Sequence, residues 1–288
     1  MKSSAILAAT LFLFVTLISC KRNSSSCESR IIFLHHSTGL NIWGTKGSIA
    51  SSVAFRFNRL YDFVGRKGNI PTLFKEYNKS HDTNYCISKK VFPTRRPYGW
   101  NNFPHNYYEI WVEHAGDKPF EKQPTLEMLT GKYDVIMFKH CYPVSSIQED
   151  EAVADINSYY KSIANYKLQY EAIKEKIHEF PDTKFILWTG AVQVKADLTE
   201  DEALRTREFF RWVREEWDEP GDNIYLWDFY TLETDGGLYL KEEYAVSPAN
   251  SHPNVEFSKR VSKLLVNRII DVIQNGGTGT TLTGEPAG

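Results

Sequence analysis

The chain has 288 residues, of which 42% are hydrophobic and 24% are charged, and its formal net charge is -2. This balance argues against an extended basic surface, so we expect no nucleic-acid partner. The stretch 29–274 is long enough for one domain with a well-buried core. We therefore predict a single folded domain with a short segment at each end.

The first twenty residues are typical of an export signal. Lys2 precedes an uncharged apolar run over residues 5–18, which is too short to span a bilayer comfortably. The run ends at Leu17-Ile18-Ser19-Cys20, which resembles the lipobox of bacterial lipoproteins. The resemblance implies a signal peptide over residues 1–19, a lipid on Cys20, and a cell-envelope protein, periplasmic or surface-exposed, that meets the membrane only through this anchor. An ordinary cleaved signal or an uncleaved anchor is the alternative.

Two segments lack any apolar periodicity. Residues 20–28 are short and polar, and we expect them to form a flexible tether. Residues 275–288 are rich in Gly and Thr, and we expect them to be disordered.

Three cysteines remain once Cys20 is assigned to the lipid: Cys27, Cys86 and Cys141. At most one disulfide can form among them, and their spacing matches no zinc motif. We interpret Cys86 and Cys141 first as small buried apolar residues and second as a disulfide pair.

Short apolar runs alternate with segments of helical period along the domain. Strands are predicted at residues 30–34, 85–92, 133–138, 183–188 and 223–227. Helices are predicted at residues 71–78, 156–177, 203–217 and 261–273, and a long aromatic loop at residues 94–114. Strands alternating with helices indicate an α/β fold, a three-layer α/β/α sandwich around a central parallel sheet.

Ligands of a parallel sheet bind beyond the carboxyl ends of its strands. Ser37 follows the first predicted strand, and His252 precedes the last predicted helix. Each residue alone has a structural explanation. Ser37 could simply cap a helix, and the segment of His252 could be a helix start with Asn254 as its cap. Together they supply a nucleophile and its base.

This arrangement resembles the SGNH/GDSL hydrolase family, which has a nucleophilic serine after strand one and a His-Pro-Asn segment before the last helix. The resemblance extends to Phe180-Pro181-Asp182-Thr183 and to the strand at residues 223–228. It implies a flavodoxin-like, SGNH hydrolase-like domain over residues 29–274. It also implies a serine esterase without a cofactor, in which Ser37 attacks an ester carbonyl and His252 takes its proton.

The resemblance also implies donors for the oxyanion. The backbone amide of Ser37 is one, and Gly99 in the loop after strand two is a second, with Gly68 as its rival. After the third strand, His140 or Ser145 is expected to face the site, although an ordinary strand end with a proline turn would explain that segment equally well.

The sequence departs from the family pattern in two places. His35-His36 replaces the usual Gly-Asp before the serine, and Ala249 replaces the acidic residue three positions before the histidine. We expect Asn250 or a backbone carbonyl to orient His252 instead. The adjacent His35 and His36 point to opposite faces of an extended segment, so we expect no metal site.

Several aromatic residues are candidates for a sugar-stacking rim around the serine, although half of them are expected in the core. They are Trp43, Tyr98, Trp100, Tyr107, Tyr108 and Trp111. Such a rim predicts an acylated glycan or small molecule as substrate, with O-acetyl groups on a carbohydrate as the preferred choice. The alternatives are a GDSL-type lipase or thioesterase and an inactive, glycan-binding lipoprotein.

Overall fold

Five parallel strands form the centre of the structure, a computed structural model that describes residues 26–44 and 69–288. The strands are β1 (Ser29–His35), β2 (Tyr85–Val91), β3 (Val135–Lys139), β4 (Lys184–Trp188) and β5 (Ile224–Trp227). They lie in the order β2-β1-β3-β4-β5, and every neighbouring pair is parallel. All five strand predictions are confirmed to within two residues.

Helices and short turns connect the strands. The helices are α1 (Ser37–Trp43), α2 (Asn69–His81), α3 (Arg95–Tyr98), α4 (Pro104–Tyr108), α5 (Leu126–Thr130), α6 (Ile163–His178), α7 (Glu200–Trp212), α8 (Phe229–Thr234) and α9 (Val255–Asn275). Two of them continue as π-helical turns, α4 through Glu109–Glu113 and α7 through Val213–Trp217. Single 3-10 turns span Tyr142–Ser145, Lys195–Asp197 and Glu242–Tyr244. A separate antiparallel pair consists of β6 (Ala245–Ser247) and β7 (Asn250–Pro253).

The sheet is covered on both faces, which explains why β1, β3, β4 and β5 are mostly apolar and buried. The edge strand β2 is only partly buried and carries Ser88, Lys89 and Lys90. In β1, Ile31 and Phe33 pack with α1, α2 and α9, whereas Ile32 and Leu34 pack with α4, α6 and α7. The predicted three-layer α/β/α architecture is therefore confirmed.

The strand order reverses next to β1, and this reversal determines where the connections leave the sheet. From β1 the chain moves outward to β2, and it then crosses to the other side of β1 to form β3. The connections after β1 and β3 therefore run in opposite directions, and a crevice lies between them. Ligands of such sheets bind in this crevice.

The long helix predicted at residues 156–177 is shorter in the structure. It begins only after Ser162, whose hydroxyl caps the helix by accepting a hydrogen bond from the Asn165 amide at 3.3 Å. The preceding segment is irregular and is held against the helix, since Gln169 Nε2 donates to the carbonyl of Ile156 at 3.0 Å. The apolar residues before the cap share the helical spacing without being helical.

The stretch predicted as a long loop, residues 94–114, contains α4. Pro104 occupies the first turn, where a missing amide proton has no cost, and Asn106 accepts a hydrogen bond from the Phe103 amide at 3.2 Å. Tyr107 and Trp111 are completely buried. Tyr107 and Trp111 therefore form core contacts of α4 and of the π-helical turn that continues it.

The disulfide joins Cys27 to Cys86, and Cys141 is a free, buried thiol. The first interpretation, a small buried free cysteine, is therefore confirmed for Cys141 and wrong for Cys86, and the alternative pairing of Cys86 with Cys141 is wrong. Cys86 lies at the start of β2, beside Arg30 of β1, and this register brings it near the residues that precede β1. Residues 27 and 28, predicted to belong to a flexible tether, are held at the start of β2 by the disulfide and by a 2.9 Å hydrogen bond from the Glu28 amide to the carbonyl of Asn84.

The predicted signal peptide and Cys20 lie outside the described residues. Within the described ranges, no helix is long and apolar enough to cross a bilayer.

The C-terminal segment 275–288 differs from the predicted disordered tail. Its backbone carbonyls accept hydrogen bonds from the end of β5, at 2.8 Å between the Asp228 amide and Leu282 and at 3.0 Å between Trp227 Nε1 and Thr283. Asp271 on α9 accepts hydrogen bonds from backbone amides of the same segment. Polar contacts hold the segment, which explains why apolar periodicity did not reveal it.

The disulfide gives a test of this arrangement. It links residues 59 positions apart, so closing the loop restricts the unfolded chain by about 4 kcal/mol in the chain-entropy description. We expect the Cys27→Ser/Cys86→Ser variant to lose about 2–4 kcal/mol of unfolding free energy in urea. Reductant should destabilise the wild type by a similar amount and leave the variant unchanged. An equal response of both proteins to reductant would contradict the assigned pairing.

Candidate functional site

Ser37 lies at the carboxyl end of β1, as the first residue of α1. The N-cap residue of α1 is His36, so Ser37 does not occupy the capping position. Ser37 Oγ instead lies 3.6 Å from Cys141 Sγ, and Thr38 Oγ1 lies 3.8 Å from the same sulfur. Since Cys141 follows β3, the serine is placed at the crevice between the connections that leave β1 and β3.

His252 lies on β7, immediately before α9. Its Nδ1 is 2.8 Å from Asn250 Oδ1, the contact that the sequence predicted. An amide oxygen only accepts hydrogen bonds, so the imidazole proton resides on Nδ1 and the lone pair of a neutral ring on Nε2. Burial, together with the positive charge of Lys139, lowers the pKa of His252 below its ordinary value. The ring is therefore neutral at pH 7 and competent to act as a base.

Tyr142 connects the histidine to the end of β3. Its ring stands perpendicular to the imidazole of His252, with centroids 5.3 Å apart, and its hydroxyl donates to the carbonyl of Ser251. Asn41 of α1 also donates a hydrogen bond to β7, at 3.2 Å to the carbonyl of Pro253. Serine and histidine are thus held at the same edge of the sheet, although no direct hydrogen bond joins them among the described residues.

A carboxylate supports the strand that carries His252. Ser251 Oγ donates to Asp197 Oδ2 at 2.7 Å and accepts from the Val194 amide at 3.0 Å. These bonds fix β7 against the segment after β4. Asp197 therefore supports the strand, while Asn250 contacts the imidazole.

A buried cation lies beneath this edge. Lys139, the last residue of β3, is completely buried, and its Nζ has no hydrogen-bond partner among the described residues. It lies 5.2 Å from the ring centre of Trp188. Burial lowers its pKa, while the charges of Cys141 and Glu233 act in the opposite direction. Among the described residues, Lys139 therefore interacts with Cys141 and Glu233 through charge and not through a hydrogen bond.

Glu233 on α8 is the second buried charge of the region. Burial raises its pKa well above the ordinary value, although the amide of Val192 donates to its Oε1 at 2.8 Å. Gly190, with φ of 96°, provides the space for this carboxylate, since a Cβ there would lie 2.4 Å from Oε1. A side chain at position 190 would therefore displace Glu233.

The two histidines before Ser37 are structural. His35 Nδ1 lies 2.8 Å from the carbonyl of His36, and His36 Nε2 lies 2.6 Å from the carbonyl of Pro93. Burial lowers the pKa of His36 to about 4 and that of His35 well below its ordinary value. Both rings are therefore neutral and donate to backbone oxygens. They fix the turn that presents Ser37.

Three expected oxyanion donors, Gly99, His140 and Ser145, have other contacts in the structure. Gly99 is exposed, and its amide donates to the carbonyl of Arg95 at 2.6 Å. His140 packs into the aromatic core, 4.7 Å from the ring centre of Tyr107, because alternate residues of β3 face opposite layers. Ser145 donates to the carbonyl of Tyr142 within a 3-10 turn. Gly68 lies outside the described residues.

Most of the predicted aromatic rim belongs to the core. Four of the six residues are buried: Trp43, Tyr98, Tyr107 and Trp111. Tyr108 is partly buried, whereas Trp100 is 58% exposed and stacks against the guanidinium of Arg95 at 3.5 Å. Trp100 is therefore the most exposed side chain of this set.

Sequence reasoning missed Cys141 and Glu233 as parts of this site. Cys141 was interpreted as a core residue, and no pattern distinguished Glu233 from the acidic residues that flank its helix, Asp228 and Asp235. The signal that was present is Lys139, a cation at the end of a strand predicted to be covered on both faces. A comparison of the chain with protein-family models, curated proteins and solved structures found no match.

The contact between Asn250 and His252 predicts how the histidine titrates. In Asn250→Asp a carboxylate faces Nδ1 and favours the imidazolium, so we expect the pKa of His252 to rise by roughly one unit. NMR titration of the imidazole protons measures this shift. Asn250→Ala removes the accepting oxygen without adding a charge, so it should not raise the pKa. Equal shifts in the two variants would show that residue 250 does not contact the ring in solution.

Proposed function

We propose that the chain is a serine hydrolase that cleaves carboxylic esters, with Ser37 as nucleophile and His252 as base. One observation carries the proposal: the adjacent residues Cys141 and Tyr142 contact Ser37 and the His252 ring respectively. A nucleophile and a neutral base at one edge of a parallel sheet are the minimum for covalent acyl transfer. The resemblance to SGNH/GDSL hydrolases supports the same assignment.

The proposed reaction forms and hydrolyses an acyl-enzyme. Ser37 Oγ attacks the ester carbonyl while His252 Nε2 takes the hydroxyl proton, which then passes to the departing alcohol. Water, activated by the same nitrogen, releases the acid. Asn250 keeps the proton on Nδ1 but carries no negative charge to stabilise the imidazolium. We therefore expect slower turnover than with a carboxylate in that position.

The surroundings of Ser37 favour a small acyl group. The hydroxyl is half-buried between the residues of α1 and the segment that follows β3, and Cys141 Sγ occupies the space 3.6 Å away. An acetyl group suits such a space better than a long acyl chain, which argues against a lipase. A carbohydrate as the alcohol part is proposed from the aromatic residues of the segment 94–114, of which Trp100 is exposed beside Arg95. Together with the lipobox-like N-terminus, this makes O-acetyl groups on an envelope glycan the proposed substrate.

A specific observation favours one alternative, a glycan-binding lipoprotein without activity. The hydroxyl of Ser37 contacts a thiol, and among the described residues it is not hydrogen-bonded to His252. Hydrogen bonds between catalytic groups are often long without substrate and tighten when it binds. Reactivity of the serine therefore decides between the two functions.

Labelling with a fluorophosphonate tests the proposal. We expect the wild type to be labelled on Ser37, Ser37→Ala to give no label, and His252→Ala to react at least about 100-fold more slowly, because it lacks the base. Intact mass and peptide mapping identify the site. Turnover of O-acetylated glycans and of long-chain esters and thioesters then distinguishes the acetylesterase from the lipase and the thioesterase.

Ser80→Ala and His81→Ala are matched controls, since both residues are exposed at the end of α2. Both variants should label at the wild-type rate. A folded wild type that takes up no label, yet binds glycans equally well with and without Ser37→Ala, would favour the inactive binding protein.

A further inference from the structure

Cys141 is the free cysteine of the described residues, and its position is distinctive. Its sulfur is in contact with two hydroxyls, those of Ser37 and Thr38. The thiol is 5% exposed, and the half-buried Ser37 lies over it. Any atom added to the sulfur on this side would occupy the space between Cys141 and the proposed nucleophile.

A second feature of the region acts on the thiol, namely the buried cation Lys139, whose Nζ has no hydrogen-bond partner among the described residues. Burial opposes ionisation of the thiol, but the positive charge of Lys139 and hydrogen bonds from Ser37 and Thr38 outweigh it. The pKa of Cys141 therefore lies below its ordinary value. A thiolate stabilised by a nearby cation is the reactive form of cysteine.

We propose that Cys141 is an oxidation site for hydrogen peroxide and that its conversion to a sulfenic acid blocks the reaction at Ser37. The blocking step rests on the proposed function, whereas the oxidation itself does not. The thiolate sulfur attacks one peroxide oxygen, so that an S–O bond forms and the O–O bond breaks. The other oxygen leaves as hydroxide and is protonated to water. Sulfur loses two electrons and peroxide gains them.

The added oxygen explains the loss of function. It enters a 3.6 Å contact between Cys141 Sγ and Ser37 Oγ, too short to hold a further atom without displacing the serine. The new S–O group also accepts a hydrogen bond from the serine hydroxyl. Ser37 is thus moved and its proton engaged away from His252.

The geometry further predicts selectivity among reagents. Peroxide is about as small as water and can pass beside the half-buried Ser37, whereas a bulky maleimide cannot reach a thiol that is 5% exposed. We expect the folded protein to react with peroxide and to resist the maleimide until it is unfolded.

The full chain, treated with hydrogen peroxide in the presence of dimedone, provides the test. We expect a dimedone adduct on Cys141 by peptide mapping. In a second sample, peroxide alone should lower fluorophosphonate labelling of Ser37 at least about tenfold, whereas Cys141→Ala and Cys141→Ser should retain their own untreated labelling rates. Lys139→Met, which removes the cation, should form the adduct about tenfold more slowly.

Different failures have different meanings. The absence of a dimedone adduct in the folded wild type would overturn the oxidation site. An adduct that leaves Ser37 labelling unchanged, or an equal loss of labelling in the Cys141 variants, would overturn the blocking step. A protein whose Ser37 is not labelled even before peroxide contradicts the proposed hydrolase instead, and the adduct on Cys141 is still measured. Circular dichroism verifies that each variant is folded.

Discussion

The adjacency of β1 and β3 is the constraint on which the candidate site depends. The two strands pair in parallel, and the chain leaves them toward opposite sides of the sheet. Their carboxyl ends therefore carry Ser37 on one side and Cys141 on the other, 3.6 Å apart at the hydroxyl and the sulfur. Hydrogen bonds from Tyr142 and Asn41 to backbone carbonyls of β7 hold this strand, and with it His252, at the same edge.

A buried lysine determines the electrostatics of the edge. Removing an ammonium group from water costs several kcal/mol unless other charges and dipoles compensate. Here the charges of Cys141 and Glu233 favour the ammonium of Lys139, which also lies 5.2 Å from the ring centre of Trp188. The charge of Lys139 disfavours protonation of His252 and favours ionisation of Cys141. The charge of Lys139 thus lowers the pKa of both the proposed base and the proposed oxidation site.

The sequence was sufficient for the layers and for two candidate residues that lie at one edge of the sheet. Continuous apolar runs identify strands buried on both faces, and the rule that ligands bind beyond their carboxyl ends selected Ser37 and His252. Asn250 could be predicted because it lies two residues from the histidine, where a side chain readily reaches back to the ring.

The other parts of the site depend on contacts between distant residues. Cys141 meets Ser37, 104 positions away, only through the strand order. The residue types of Gly99 and His140 do not reveal their contacts. The Gly99 amide is engaged in a local turn, and the His140 side chain packs against the aromatic core. The C-terminal segment 275–288 was misjudged because polar contacts hold it in place.

The most direct test of the account is a crystal structure of the protein after reaction with a small fluorophosphonate. The account predicts phosphorus bonded to Ser37 Oγ, His252 Nε2 within about 3 Å of that oxygen or of a phosphonyl oxygen, and Cys141 Sγ still in contact with the serine. A phosphonyl group on another residue, or a His252 ring that remains beyond hydrogen-bond reach of the adduct, would contradict it.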